Sequence, residues 1–167
     1  PLASPPGTSS EYSDLGFIIL GSLLPELTVE SLENLIEREV TGPLGADFHI
    51  GLPASEHARV ADIIPPDNAP QAEMEFINEA GFRSGEMPAG NGHGNARSLA
   101  RVMAALANGG ELDGVRILER QTIETALEEQ LYEADAVMGR VSRRGLGFIL
   151  ACPEFAAGHG APTTYYP

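Results

Sequence analysis

The amino-acid sequence predicts an α+β fold in which helices come first and strands come last. Apolar residues recur at helical spacing in several segments, most clearly in NARSLARVMAALANGG at 95–110. An Asp-Gly pair between short apolar arms, in ELDGVRIL at 111–118, predicts a tight hairpin. GLGFILAC at 145–152 and the residues from 155 to 160 are typical of two strands. Two strands cannot cover these helices, so the predicted sheet is incomplete.

Two helices are expected near the start of the chain. The first follows the turn-rich PGTSS at 6–10, is apolar on nearly every side from Leu15 to Leu24, and should be buried and end at Pro25. Thr28 is a candidate N-cap for a second helix with apolar residues at helical spacing up to Val40.

The middle of the chain is rich in proline and glycine. From 43 to 70 we expect irregular structure that contains no more than one strand, near Val60–Ile64. From 81 to 94 we expect another loop. A short helix is expected at 71–80. The next helix should begin after the cap Asn95, have Leu99, Val102, Met103 and Leu106 as its apolar stripe, and end at Asn108-Gly109-Gly110.

Charge and composition exclude several classes of function. A net charge of −14 repels a phosphate backbone, so nucleic acid is not an expected partner. No apolar run has the length of a membrane span. All 10 basic residues are arginine, which removes the P-loop, Schiff-base chemistry and a Ser-x-x-Lys nucleophile from this chain.

Metal and cofactor sites are not expected either. The four histidines, His49, His57, His93 and His159, lack the close spacing of zinc ligands, and Cys152 is the single cysteine. GNGHGN at 90–95 does not match the glycine spacing of a dinucleotide site.

Four segments in order carry a resemblance to a known family: PGTSSEYSDLGFIILGSLL, VTGPLG, GNARSLARVMAALANGGELDGVRIL and the Gly-His-Gly at 158–160. They resemble the serine β-lactamase-like superfamily, in particular class C-type β-lactamase-related proteins and family VIII carboxylesterases. The resemblance implies a β-lactamase/transpeptidase-like fold. Because the family's chains are longer, we expect residues 1–167 to be a partial domain, with 1–144 mainly its helical subdomain and 145–167 the start of its C-terminal sheet.

The resemblance also implies roles for four residues. The family's Tyr-x-Asn motif falls on Tyr12, Ser13 and Asp14, and its Lys-or-His-x-Gly motif falls on His159 and Gly160, with Ala161 in place of the final glycine. Tyr12 and His159 would then be catalytic, and Asp14 and Gly160 would bind substrate. The Ser-x-x-Lys motif has no counterpart in this sequence, so its serine and lysine are expected outside it.

Each residue also has a purely structural interpretation, and the sequence leaves both open. Tyr12 can pack its ring at a helix start with its hydroxyl in water, and His159 can be an ordinary loop residue. Asp14 can cap the helix, or it can act on the substrate, where its carboxylate only accepts hydrogen bonds while the family's amide also donates them.

The functional hypothesis is therefore part of a serine hydrolase of the β-lactamase or carboxylesterase type, acting on a small ester or amide through an acyl-enzyme. The chain by itself is expected to be inactive. The alternative is a non-catalytic relative or a helical interaction module. We expect no cofactor, no metal, no membrane span and a soluble protein. The sequence leaves the compartment and the oligomeric state open, with the cytoplasm slightly favoured over a periplasmic or secreted location.

Overall fold

The computed structural model describes residues 4–64, 66 and 75–154. Its described residues form two compact units. The sheet unit has the residues up to Ser13 and those from Leu118 onward, and the helix unit is Asp14–Ile117. The division of the domain at residue 144 stays a prediction.

Helix α1, Asp14–Thr28, opens the helix unit and continues through Pro25. Proline removes the backbone donor to the carbonyl of Gly21, yet the helix continues, and in its last turn the hydroxyl of Thr28 donates to the carbonyl of Leu24 at 2.8 Å. The helix ends where Val29 takes a left-handed φ of 62°. The prediction that Pro25 ends this helix is wrong.

The prediction that α1 is buried is also wrong. Gly21 is its buried residue, and a Cβ there would lie 2.5 Å from Cγ of Pro88, so the backbone of α1 sits against this loop. The apolar side chains are exposed, including Leu15, Phe17, Ile18, Ile19, Leu20, Leu23 and Leu27. Since α1 is apolar all round, its sequence does not indicate which side the described residues cover.

The second helical segment begins later than expected. Ser31, not Thr28, is the N-cap of α2, Leu32–Ile36, and its hydroxyl accepts from the amide of Asn34 at 3.2 Å. A π-helical turn, Glu37–Thr41, and the short helix α3, Gly42–Leu44, follow. Gly45 ends the segment in a left-handed conformation, φ 59°.

Two short strands form the centre of the helix unit. Strand β1, Phe48–Ile50, pairs antiparallel with β2, Gly92–Gly94, and His49 lies opposite His93. Between these strands lie 3₁₀ turns at Ala54–Arg59 and Glu75–Asn78 and helix α4, Ala80–Ser84. Residues 60–64 are not a strand, contrary to expectation.

Helix α5, Ala96–Ala107, confirms the clearest sequence prediction. The side chain of Asn95 caps it by accepting from the amide of Ser98 at 2.9 Å. Its most buried residues are Ser98 and Ala105, while Leu99 is 50% exposed. The hairpin of β3, Glu111–Leu112, and β4, Val115–Arg116, follows as predicted, with Asp113 and Gly114 both at positive φ.

The sheet unit holds helix α6, Arg120–Ala126, and three antiparallel strands in the order β5-β6-β7. These are Leu131–Asp135, Arg140–Arg144 and Ile149–Leu150. Strand β7 confirms the strand expected within 145–152. The second expected strand, 155–160, lies outside the described residues. The hairpin of β5 and β6 was not predicted.

Within the part of the chain that the structure describes, no single helix is long and apolar enough to cross a membrane. Helix α1 and the helical segment Leu32–Leu44, which meet at an angle of 79°, are together long and apolar enough by length and composition only.

Candidate functional site

Tyr12 lies on an extended segment that runs beside the β5–β6 hairpin. Ser10 forms a parallel bridge with Asp135, and its carbonyl accepts from the amide of Ala136 at 2.8 Å. Ser10 itself is buried, while Tyr12 is 40% exposed. The backbone before Tyr12 is therefore fixed to the sheet unit, and its side chain is accessible from solvent.

Asp135 receives the hydrogen bonds that hold this segment. The residue is 1% exposed, and its Oδ1 accepts from the amides of Tyr12 at 3.2 Å, Val137 at 3.0 Å and Met138 at 2.8 Å. Its Oδ2 accepts from the hydroxyl of Ser10 at 3.2 Å. Two of these donors belong to the hairpin turn itself, and the other two come from the distant segment that carries Tyr12.

The hydrogen bonds keep the buried carboxyl of Asp135 ionised. Burial by itself would raise the pKa of Asp135. The amides of Met138, Tyr12 and Val137 and the hydroxyl of Ser10 outweigh that effect and hold the pKa below its ordinary value. The carboxylate is thus a fixed acceptor at neutral pH, with donors on both of its oxygens.

Arg144 supplies positive charge on the face of the Tyr12 ring. Its guanidinium carbon lies 6.0 Å from the ring centroid, within the range of a cation–π contact. Nε donates to the hydroxyl of the buried Ser142 at 3.0 Å, and Nη2 lies 3.8 Å from Oδ2 of Asp135. The guanidinium is therefore held between the hairpin and the tyrosine.

Of the other residues expected at the site, the structure describes Asp14. Asp14 is the first residue of α1, near the positive end of its dipole, and belongs to the helix unit, whereas Tyr12 belongs to the sheet unit. His159 and Gly160 lie outside the described residues. The roles of all four residues stay predictions.

A cavity of about 450 Å³ lies within the helix unit beside β1 and β2. Its polar lining includes His49, His93 and Asp47, and its apolar lining includes Ile63 and Phe82. His49 contacts Glu33 through Nδ1, while the buried Nδ1 of His93 has no hydrogen-bond partner among the described residues. A salt-bridging Arg59 lowers the pKa of Asp47.

Sequence reasoning missed both the Asp135–Arg144 pair and this cavity. From the sequence, His49 and His93 were considered as zinc ligands only. Among the described residues no group of three or more His, Cys, Asp or Glu side chains is placed to hold a metal ion. Nothing in the local sequence around Asp135 or Arg144 connects them with Tyr12, because the contact spans more than a hundred residues.

The fold is that of the β-lactamase/transpeptidase-like class, since solved structures of that kind share it. A penicillin-binding protein homologue from Caulobacter crescentus is 31% identical with a TM-score of 0.83, and the match covers 98% of this chain and 48% of that chain. A family VIII carboxylesterase is 34% identical with a TM-score of 0.82, covering 96% of this chain and 47% of that one. The predicted fold class is confirmed.

The family follows from the sequence match. The model of the beta-lactamase family matches residues 1–167, and the chain belongs to that family. The chain is also similar to the esterase/beta-lactamase LipL from Mycobacterium tuberculosis (strain ATCC 25618 / H37Rv), at 32% identity over a region that covers 68% of this chain and 33% of LipL. It thus spans about half the length of the two solved structures and about a third of LipL. By their descriptions LipL is an esterase/beta-lactamase and one of the two solved structures is a carboxylesterase, so the chain has relatives among hydrolases of that general kind.

Proposed function

We propose that this chain is part of a serine hydrolase that cleaves carboxylic esters or β-lactam-like amides through an acyl-enzyme. The serine and its lysine lie outside the 167 residues, since the chain contains no lysine. The observation that carries the proposal is the position of Tyr12, the family's candidate base, which is exposed, fixed at its backbone and next to a guanidinium.

In the proposed reaction the phenolate of Tyr12 accepts the proton of the serine hydroxyl. The serine oxygen attacks the carbonyl carbon of the substrate, the bond to the leaving alcohol or amine breaks, and Tyr12 returns the proton to that leaving group. Water then resolves the acyl-enzyme by the same route. Arg144 favours the phenolate because a guanidinium stays protonated in proteins. By the family's motif, His159 would polarise the substrate and Gly160 would contribute to binding it.

Asp14 favours esters over β-lactams in this proposal. The family's asparagine can donate a hydrogen bond to a substrate carbonyl, whereas an ionised carboxylate only accepts. Asp14 would therefore weaken the recognition of amide carbonyls. The full-length protein should hydrolyse a short-chain nitrophenyl ester faster than a cephalosporin. Asp14→Asn should reduce the ratio of these two rates. Faster turnover of the cephalosporin by the wild type would contradict this step.

Labelling with a fluorophosphonate probe tests the function itself. The full-length wild-type protein should be labelled at a serine, and Tyr12→Phe should lower kcat for the ester by about 100-fold or more, since a general base typically contributes at least that much. Tyr132→Phe is the matched control, because Tyr132 contacts Glu154 instead of Arg144 and should keep full activity. An unlabelled wild-type protein would reject the proposal.

The alternative, a helical interaction module, has one observation in its favour. Helix α1 exposes Phe17 and Leu20, which are neighbours on the helix surface at a spacing of three residues, and exposed apolar surface of this kind often marks a binding site for another protein segment. A protein that is not labelled, but that binds a partner through α1, would favour this alternative.

A further inference from the structure

The buried carboxylate of Asp135 does more than close its own turn. The amides of Val137 and Met138 are local donors, and aspartate side chains in turns commonly accept hydrogen bonds from amides two or three residues later. The amide of Tyr12 and the hydroxyl of Ser10 reach it from 123 and 125 positions away in sequence. Because a buried charge is costly to leave unpaired, these distant donors are required as well.

Arg144 restricts the side chain of the same tyrosine. Its hydrogen bond to Ser142 and its approach to Asp135 hold the guanidinium in one place, over the Tyr12 ring. The hairpin therefore fixes Tyr12 twice, at the backbone through Asp135 and at the ring through Arg144. Proton transfer depends on such placement, since an error of 1 Å can cost about 100-fold in rate.

We propose that Asp135 and Arg144 are positioning residues that hold Tyr12 in place for proton transfer to and from the nucleophilic serine. The inference rests on the proposed function and adds two residues to it. Neither residue exchanges a proton in the reaction: Tyr12 takes the serine's proton and gives it to the leaving group, while Asp135 stays ionised and Arg144 stays protonated.

Steady-state kinetics of the full-length protein on a nitrophenyl ester tests this inference. Asp135→Asn replaces one of the two accepting oxygens with an NH₂ group that can only donate. Either the bond from the Ser10 hydroxyl or the bonds from the amides of Tyr12 and the turn are therefore lost. We expect kcat to fall by about 10- to 100-fold, with KM changed by less than about 3-fold because Asp135 is buried away from substrate. Arg144→Gln should lower kcat in the same way, and Arg144→Lys, which keeps the charge, should recover part of it.

Matched controls come from the same sheet. Arg143 is the neighbour of Arg144 and pairs with Glu129 at the surface, so Arg143→Gln and Glu129→Gln should leave kcat unchanged. Thermal unfolding followed by circular dichroism shows whether each variant is folded. If Asp135→Asn does not fold, Ser10→Ala removes only the hydroxyl donor and should still lower kcat, by about 3-fold or more.

A spectroscopic readout separates positioning from general stability. In protein labelled with ¹³C at the tyrosine rings, the difference from the Tyr12→Phe spectrum assigns the Tyr12 signal. Arg144→Gln should shift that signal, because the guanidinium charge over the ring is removed. Arg143→Gln should leave it in place.

The outcomes distinguish the two proposals. If the wild type is not labelled by a fluorophosphonate, or Tyr12→Phe keeps full activity, the proposed function fails and the positioning inference fails with it. If Tyr12→Phe is inactive but folded Asp135→Asn and Arg144→Gln match the wild type in kcat, the positioning inference alone is overturned. A fall in kcat with a shifted Tyr12 signal supports both.

Discussion

Helices α1 and α5 both belong to the helix unit, yet they relate to the other described residues in opposite ways. Helix α5 is amphipathic, is capped by Asn95, and packs closely at Ala105, which is 0% exposed. Helix α1 is apolar on nearly every side, and apart from Gly21 its residues stay partly or largely exposed.

The contrast separates two properties that sequence patterns tend to merge. Local signals such as a cap, a stop and helical spacing determine where a helix begins and ends. Burial depends on a surface of matching shape elsewhere in the chain. A helix that is apolar on every side has much surface to bury, but its sequence does not indicate which other segment covers that surface. The three variants below test this contrast, in order of expected effect.

Substitution of Ala105 by leucine should have the largest effect. The additional isopropyl group has no space at a fully buried position, so we expect a loss of about 2 kcal/mol or more in the free energy of unfolding. Urea denaturation of the chain measures it. Ala107→Leu, on an exposed position of the same helix, is the matched control and should change stability by less than about 0.5 kcal/mol. Equal effects at both positions would show that α5 is not packed as described.

Removal of the cap of α5 should have an intermediate effect. Asn95→Ala leaves the amide of Ser98 without its side-chain acceptor and should cost about 1 kcal/mol in the free energy of unfolding. Asn95→Ser restores a cap of comparable strength and should recover most of the loss. If serine is no better than alanine, the hydrogen bond of Asn95 to Ser98 does not stabilise the helix.

Substitution of Leu20 on α1 should have the smallest effect on stability. Leu20 is 63% exposed, so Leu20→Gln should change the free energy of unfolding by less than about 0.5 kcal/mol. The same variant should lower self-association in light scattering, because it interrupts an exposed apolar surface. Gln121→Asn, at an exposed site of the sheet unit, is a control for scattering. A loss of 2 kcal/mol in Leu20→Gln would mean that α1 is covered after all.

The sequence was sufficient where the structural signal is local. The hairpin at Asp113-Gly114 was predicted because those residues readily take the positive φ that its turn requires, and α5 was predicted from its cap and its stop. The strand pair β1–β2 was missed because each strand has three residues and the partners lie far apart in the chain. Thr28 has a capping side chain, yet the helix that it was expected to start begins after Ser31.

The surroundings of Tyr12 were beyond sequence reasoning for a related reason. The family resemblance indicates the tyrosine, but the carboxylate that holds it lies 123 positions later and the guanidinium lies in a hairpin without a clear alternating pattern. Asp14, His159 and Gly160 were likewise placed by resemblance, and their roles stay predictions.

The contact between Ser10 and Asp135 also has a consequence for the order of folding. Its two partners are 125 residues apart, and closing a loop costs more entropy the longer the flexible chain between its ends, by about 0.6 kcal/mol for each doubling of length. Folding of Asp14–Ile117 shortens the flexible part of that loop. The segment that carries Tyr12 should therefore dock late in folding and be among the first parts to open, so that amide exchange at Tyr12 would report partial unfolding before the rest of the chain does.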